Sequence, residues 1–301
     1  MRLPSHVTVV DVAPRDGLQN EHAKITTAQK VTLVNLLSEA GVQVIETGAF
    51  VSAKWVPQMA DTAGVMALIG RRPGARYPVL VPNLRGLERA LAAGARDIAV
   101  LAAASETFSR RNINQSIEES FVTIAAVCQL ATKEGVGIRA YLSTCFGCPY
   151  EGDVPVERVG ALTRDLLELG VSEVAISDTI GVAHPGQVWR VLDAVAKYAS
   201  LSKIALHFHD TRGTALANVL AGLQADVTTY YASCGGLGGC PYAPGASGNL
   251  ATEDLVYMLN GLGIDTGIDL DRLLAASTFA STRIDHPLPS RYFQASRAVR
   301  R

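Results

Sequence analysis

Eight short apolar runs alternate with longer amphipathic stretches along this chain, and this alternation restricts the fold more than any other feature. The runs are continuous in apolar residues, which is typical of parallel strands buried on both faces. They predict strands at residues 6–12, 42–47, 77–81, 98–102, 138–142, 174–177, 204–208 and 227–231. The amphipathic stretches predict helices at residues 27–40, 84–93, 117–133, 156–169, 185–199 and 215–224.

Eight β/α units in 301 residues predict a (β/α)₈ TIM barrel, a single domain over residues 1–301 with extra C-terminal helices. Several predicted helices end at a glycine, as in Ala40-Gly41 and Leu169-Gly170, which is typical of a left-handed C-cap. A doubly wound open sheet is the main competitor. No G-x-G-x-x-G follows the first strand, so the dinucleotide-binding form of that fold has no support.

Composition excludes several classes of function. The formal net charge is −1, which gives no reason to expect nucleic acid or an anionic membrane surface as a partner. No apolar run reaches transmembrane length and no signal core is present at the start, so we expect a cytoplasmic protein. The five cysteines lack the paired spacing of a zinc site, and the C-x-x-C at residues 145–148 is interpreted as two buried or loop thiols.

Two histidines, His207 and His209, end the seventh predicted strand. Residues i and i+2 of a strand point to the same face, so both imidazoles point the same way. They are a plausible pair of metal ligands. Two hydrogen-bonded core histidines would give the same pattern, since H-x-H alone is a weak motif.

Polar side chains follow the carboxyl ends of several predicted strands. In a barrel these ends meet at one face, where the chemistry takes place. A common active site explains this grouping better than random core placement. The residues concerned are Arg15, Asp16, Glu46, Asp178, His207, His209, Cys240 and Asn249.

Several segments resemble the hydroxymethylglutaryl-CoA lyase family, within the wider group of metal-dependent TIM-barrel lyases and acyl transferases. The similarity spans nearly the whole chain, and its two glycine-containing C-terminal segments are highly specific. The segments are residues 12–21 (VAPRDGLQNE), 54–59, 147–152, 178–181, 207–210, 236–242 (GLGGCPY) and 246–254.

The resemblance implies that one divalent cation, Mg²⁺ or Mn²⁺, is bound by Asp16, His207, His209 and Asn249. A mixed set of oxygen and imidazole ligands suits these ions better than a structural zinc, which prefers four closed nitrogen or sulfur ligands.

The implied activity is that of a carbon–carbon lyase that cleaves 3-hydroxy-3-methylglutaryl-CoA to acetyl-CoA and acetoacetate, as in leucine degradation and ketone-body formation. A chelating cation would acidify the C3 hydroxyl. Arg15 is the candidate partner of the enolate oxygen, and Cys240 the candidate acid that protonates the carbanion. Asp178 and Asp16 remain alternatives for the general base, with Glu46 orienting or tuning them.

The expected partner is an acyl-CoA substrate, and no tightly bound organic cofactor is needed. Gln19, beside the R-D-G motif, is a candidate substrate contact. Arg110, Arg111 and Asn112 are candidate donors to the CoA phosphates, although a solvated charged surface would look the same. A homo-oligomer is compatible with the fold, but no residue pattern identifies an interface.

Some positions depart from the pattern expected of the family: Ala49, Gln115, Ala175, Arg212, Tyr231, Cys234-Gly235 and Ser290-Arg291. Ala49 and Ala175 stand where serines are usual, which makes the pocket for the distal acyl group more apolar. A buried carboxylate that loses such donors costs roughly 1–3 kcal/mol per contact. Citramalyl-CoA or a longer branched 3-hydroxyglutaryl-CoA is therefore an open alternative as substrate.

Two further functions are weighed against the lyase. A condensing synthase of the isopropylmalate or homocitrate type favours H-x-H-N-D, where this chain has His209-Asp210, and commonly carries a C-terminal regulatory domain. A non-catalytic acyl-CoA-binding barrel should have lost the catalytic set, which here is intact.

Overall fold

The computed structural model of the chain describes residues 3–239 and 248–299. Its centre is one sheet of parallel strands in the order β2-β1-β9-β8-β7-β6-β5-β4-β3. The strands are β1 (Thr8–Asp11), β2 (Val44–Ile45), β3 (Gly48–Ala49), β4 (Val79–Leu80), β5 (Asp97–Ala103), β6 (Gly137–Ser143), β7 (Glu173–Asp178), β8 (Ile204–Phe208) and β9 (Thr229–Ala232).

The sheet closes because β2 and β3 are two halves of one strand. β2 pairs with β1, whereas β3 pairs with β4. Between them, the Ile45 N–H donates to the Arg76 carbonyl at 3.0 Å and the Glu46 N–H donates to the Asp11 carbonyl at 2.9 Å. This segment therefore joins the two ends of the sheet, and the predicted eight-stranded barrel is confirmed.

Helices cover the outside of the barrel. They are α1 (Thr27–Glu39), α2 (Thr62–Leu68), α3 (Leu84–Ala92), α4 (Glu106–Ile113), α5 (Ile117–Lys133), α6 (Val156–Glu168), α7 (Pro185–Ala196), α8 (Ala215–Gln224), α9 (Thr252–Gly261), α10 (Leu270–Ser281) and α11 (Arg291–Val299). The last three are the predicted C-terminal helices. The sequence pattern does not predict α2 and α4, which have seven and eight residues and are too short to show a clear periodicity.

Local chemistry explains where the helices begin. In α1 the Thr26 hydroxyl accepts the Gln29 N–H and the Gln29 side chain accepts the Thr26 N–H. Ser116 and Glu119 make the same reciprocal capping box at the start of α5. No helix of the part of the chain that the structure describes has the length and apolar character needed to cross a membrane.

The two cysteines of the C-x-x-C segment are buried and free. The Cys145 thiol donates to the Leu142 carbonyl at 3.0 Å, and Cys148 Sγ lies 2.9 Å from Ser105 Oγ. Burial raises the pKa of the Cys145 thiol, although the Ser177 backbone opposes this effect. Both thiols are thus used in local packing.

Candidate active site and metal centre

The chain after β1 makes a wide helical turn that carries the R-D-G motif. The Gly17 N–H donates to the Val12 carbonyl five residues earlier at 3.1 Å, which is the hydrogen bond of a π-helical turn. The buried Asp11 carboxylate accepts the Ala13 N–H at 2.8 Å and secures the start of the turn. This turn presents Arg15 and Asp16 at the carboxyl end of the barrel.

A short extended segment at residues 248–251 runs between the ends of β8 and β9. Its Leu250 N–H donates to the Phe208 carbonyl at 3.1 Å, and its carbonyl accepts the Ser233 N–H at 2.9 Å. These bonds place Asn249 opposite His209 in a backbone bridge. The amide is thereby brought to the two histidines from about 40 residues away in the sequence.

The four expected metal ligands lie together at this end of the barrel. Asn249 Oδ1 lies 2.6 Å from His207 Nε2, and Asn249 Nδ2 donates to Asp16 Oδ2 at 2.9 Å. One ligand atom each from Asp16, His207 and His209 lies within 4.8 Å of the other two. The arrangement is compact enough for the four side chains to share one ion.

The chemistry of these side chains also fits a divalent cation. Burial lowers the pKa of both imidazoles, and the neighbouring His207 helps to lower that of His209 to about 4. Burial opposes the ionisation of Asp16, but Arg15 and the two histidines outweigh it and bring its pKa to about 2. Neutral imidazoles and an ionised carboxylate are the forms that ligate metals at pH 7.

Unpaired ring nitrogens provide a further sign of such a site. His207 Nδ1 and His209 Nδ1 are buried without a hydrogen-bond partner in the described ranges 3–239 and 248–299. Buried polar atoms are normally paired. One carboxylate, one amide and two imidazoles with spare lone pairs therefore match the donor set that the resemblance implies.

Arg15 is held by two carboxylates next to this centre. Its Nη1 donates to Asp16 Oδ1 at 2.6 Å, and its Nε donates to Glu46 Oε2 at 2.5 Å. The Tyr141 hydroxyl also donates to Glu46 Oε2, at 2.9 Å, and the Arg15 guanidinium lies 5.1 Å from the Tyr141 ring centroid. Glu46 thus orients Arg15, whose guanidinium also contacts the proposed ligand Asp16.

The role of Tyr141 at this site was not predicted from the sequence. The available signal was the alternation along β6, which places Tyr141 on the same face as Arg139 and Ser143. That pattern shows which way the ring points, but it does not reveal that the hydroxyl meets Glu46, 95 residues away.

Asp178 does not join this group. It pairs in register with Phe208, the residue between the two histidines, and register partners in a parallel sheet share a face. Its carboxylate accepts the Val182 and Ala183 N–H groups at 2.9 and 3.0 Å. Burial raises its pKa to about 6, although these N–H groups lower it. Asp178 holds the loop after β7, and this position does not support the expectation that it is the general base.

Cys240 lies outside the described residues, whereas residues 237–239, which precede it, are described. The Leu237 carbonyl accepts the Asn249 Nδ2–H at 3.0 Å. Gly238 has a φ of +105°, and a Cβ there would lie 2.6 Å from Asn249 Nδ2. Glycine is needed because the backbone turns in the left-handed region while it passes directly over a proposed metal ligand.

The candidate substrate contacts lie on two separate segments of the chain. Gln19 follows the R-D-G turn and is half-buried. On α4, Arg110 pairs with Glu106 at 2.9 Å and the Arg111 guanidinium lies 4.3 Å from the Tyr150 ring centroid. Asn112 is exposed on the same helix. Helix α4, which carries these three side chains, follows β5 at the carboxyl end of the barrel.

A cavity of about 590 Å³ opens beside Asn249. Its walls include Arg212 and Arg291, two of the positions expected to depart from the family pattern. Arg212 Nη1 donates to the carbonyls of Ile180 and Gly181 at 3.0 and 2.9 Å. Among the proposed metal ligands, Asn249 lines this cavity.

The other departures have separate environments. Ala49 and Ala175 are fully buried. The Gln115 amide donates to Thr123, Cys234 Sγ lies 3.4 Å from Ser277 Oγ, and the Ser290 hydroxyl donates to Asp254. Tyr231 stacks on His207, with ring centroids 5.5 Å apart.

Comparisons with known proteins agree with this geometry. The HMGL-like family profile matches residues 6–280. The mitochondrial hydroxymethylglutaryl-CoA lyase of Pongo abelii is 50% identical over 294 residues, covering 98% of this chain and 90% of that protein. The crystal structure of hydroxymethylglutaryl-CoA lyase from Pseudomonas aeruginosa has a TM-score of 0.97 and 47% identity, covering 99% of this chain and 100% of that one.

A further solved structure contains a ligand. The HMG-CoA lyase from Acinetobacter baumannii in complex with coenzyme A and 3-methylmalate has a TM-score of 0.93 and 38% identity, covering 98% of this chain and 97% of that chain. Matches of this extent, over both sequence and structure, include every strand that carries the site. The chain therefore belongs to the HMGL-like family, alongside the hydroxymethylglutaryl-CoA lyases.

Proposed function

We propose that this protein is a divalent-metal-dependent lyase that cleaves 3-hydroxy-3-methylglutaryl-CoA to acetyl-CoA and acetoacetate. The observation that carries the proposal is the convergence of Asp16, His207, His209 and Asn249 beside Arg15. Relatives named for this activity, at about half identity over nearly the whole chain, support the same reaction.

The proposed cation is Mg²⁺ or Mn²⁺, held by Asp16, His207, His209 and Asn249. When bound, it would chelate the substrate and make the C3 hydroxyl more acidic. Asp16 supplies the negative charge of the ligand set and Asn249 a neutral carbonyl oxygen. The centre therefore stays electropositive enough to accept an anionic substrate.

Arg15 stabilises the enolate oxygen that develops as the C2–C3 bond breaks. Its guanidinium is already fixed by Asp16 and Glu46, so little reorganisation is needed when charge appears. Glu46 is buried and its Oε1 has no partner in the described part of the chain. Burial raises the pKa of Glu46, although Arg15 opposes this shift.

The proton path uses carboxylates that are coupled through Arg15. Since Asp178 faces the other side of its strand, Asp16 is the proposed acceptor of the hydroxyl proton, and Glu46 tunes it through the shared guanidinium. Cys240 is the proposed donor to the carbanion carbon. The glycines that precede it allow close approach of the backbone to the ligands.

An acyl-CoA is the proposed substrate class, and the solved relative with coenzyme A supports it. The names of the most similar proteins favour hydroxymethylglutaryl-CoA over citramalyl-CoA or a longer branched acyl group. Gln19, Arg110, Arg111 and Asn112 remain proposed contacts for the CoA part. A cytoplasmic location is proposed because the four described cysteines are all free.

A metal analysis and a product assay test the proposal together. Protein stripped with a chelator is reloaded with Mg²⁺ or Mn²⁺ and supplied with hydroxymethylglutaryl-CoA, citramalyl-CoA and a longer branched analogue. We expect metal-dependent release of acetyl-CoA and acetoacetate, with the highest kcat/KM for hydroxymethylglutaryl-CoA. A higher kcat/KM for another thioester, or cleavage that persists without metal, would contradict the proposal.

A further inference from the structure

We propose that Tyr231 is a positioning residue for His207: its ring stacks on the imidazole and holds it in the plane from which it can ligate the cation. The inference rests on the proposed metal centre, but it assigns a role to a side chain outside the ligand set.

The two rings are neighbours in the sheet. Tyr231 on β9 is the register partner of His207 on β8. Their centroids are 5.5 Å apart and their planes differ by only 10°. This separation lies within the range of offset-stacked rings, whose contact favours a parallel arrangement.

Only one of the two ring nitrogens of His207 has a hydrogen-bond partner among the described residues. Metal-binding histidines normally donate from the nitrogen that does not ligate, which fixes the orientation of the ring. In His207, Nε2 lies 2.6 Å from Asn249 Oδ1, while Nδ1 is buried and has no protein partner in residues 3–239 or 248–299. The flat contact with Tyr231 therefore restricts rotation about the bond to the ring.

Tyr231 is itself held in place from two directions. Its hydroxyl donates to Glu173 Oε1 at 3.2 Å, and Glu173 lies 3.4 Å from Arg139 in a largely buried ion pair. The ring also meets Tyr141 edge-on, with centroids 5.3 Å apart and planes at 68°. Only 2% of Tyr231 is exposed, so the stacked ring has no room to turn away.

The test compares Mn²⁺ binding in full-length variants by titration calorimetry, after removal of bound metal. Tyr231→Leu removes the flat ring, and we expect the Mn²⁺ Kd to rise ~10-fold or more, as for other residues that orient a ligand. Tyr231→Phe keeps the ring and loses only the hydroxyl, so its Kd should stay within about threefold of wild type. Should Tyr231→Leu fail to fold, Tyr231→Met makes the same comparison.

Tyr230→Leu is the matched control. Tyr230 is fully buried on the same strand but points to the opposite face, where its hydroxyl donates to the Val219 and Val227 carbonyls. We expect this variant to lose stability and keep the wild-type Kd. The proposed role of Tyr231 is refuted if Tyr231→Leu keeps the wild-type Kd, or if Tyr230→Leu loses as much affinity as Tyr231→Leu. Either result leaves the proposed metal centre standing.

The concentration of Mn²⁺ that gives half-maximal lyase activity provides a second readout. It should rise in Tyr231→Leu in parallel with the Kd, whereas kcat at saturating Mn²⁺ stays close to that of wild type. A lower kcat with an unchanged Mn²⁺ requirement contradicts the inference. A wild-type protein that binds no Mn²⁺ overturns the proposed metal centre, and this inference with it.

Discussion

The buried carboxyl of Asp11 should contribute to the stability of this protein an amount that is lost as the pH rises. Asp11 is completely buried, and burial raises its pKa to about 7 even though the Thr252 hydroxyl and the Ala13 N–H donate to it. The nearby Glu253 carboxylate adds to the effect. The ordinary value, which applies to the unfolded chain, is 3.8.

The direction follows from proton binding. Between pH 4 and pH 7 the folded protein keeps a proton on Asp11, whereas the unfolded chain has released it. The contribution to stability is therefore fully present below the unfolded pKa and is lost as the pH rises towards 7. From pH 5 to pH 8 the unfolded carboxyl is ionised throughout, and about two pH units at roughly 1.4 kcal/mol each give a loss of about 3 kcal/mol.

Asp11→Asn removes this titration and preserves the shape of the side chain. The amide oxygen can still accept the Ala13 N–H, and the amide nitrogen can donate to the Thr252 hydroxyl. Unfolding free energies from urea titrations of metal-free protein at pH 5, 6, 7 and 8 measure the effect. We expect the variant to gain about 3 kcal/mol relative to wild type between pH 5 and pH 8.

Asp269→Asn is the control for this experiment. Asp269 is an exposed residue whose side chain accepts the Arg272 N–H at the start of α10, a role that Asn also fills. Its pH profile should match that of wild type. If Asp11→Asn also keeps the wild-type slope, Asp11 is already ionised in the folded protein at pH 5 and the reasoning fails.

Three further variants test the site itself. Arg15→Lys should reduce kcat by roughly 10²–10³ and leave cation binding intact. The reason is that a lysine ammonium cannot contact both carboxylates and the enolate oxygen at once. An unchanged kcat would exclude Arg15 from charge stabilisation. The double variant with His207→Ala and His209→Ala should lose stoichiometric Mn²⁺ binding in calorimetry. The control His184→Ala, which changes an exposed histidine, should bind Mn²⁺ like wild type. Tight Mn²⁺ binding by the double variant refutes the ligand set. Cys240→Ala should bind Mn²⁺ normally and lose roughly 10²–10⁴ in kcat as a general acid is removed; full cleavage activity would rule out that role.

Much of the barrel could be predicted from the sequence because most strands and helices have their own pattern of apolar residues. The continuous apolar runs at residues 138–142 and 204–208 lie within or coincide with β6 and β8. The weakest prediction was the second strand, expected at residues 42–47 and found as β2 and β3 on either side of Glu46. Hydrogen bonds to two different neighbours, rather than local apolarity, divide that strand.

The candidate site could be predicted in part for the same reason. Arg15, Asp16, His207 and His209 lie at strand ends, so the closure of a parallel barrel brings them to one face. Asp178 also lies at a strand end, but its register with Phe208 turns it away from that face. The sequence showed that Asp178 lies at the end of a strand. The face to which its side chain points depends on the register between that strand and its neighbour.

The sequence by itself determined the alternation of strands and helices, the R-D-G motif after the first strand and the two imidazoles on one face, because these properties depend on residues a few positions apart. Only the tertiary structure decided that Asn249 bridges His207 and Asp16, that Tyr141 and Glu46 hold Arg15, and that Tyr231 stacks on His207. These contacts join residues tens to hundreds of positions apart. They arise from strand register and loop path, which the closed packing of the whole barrel sets.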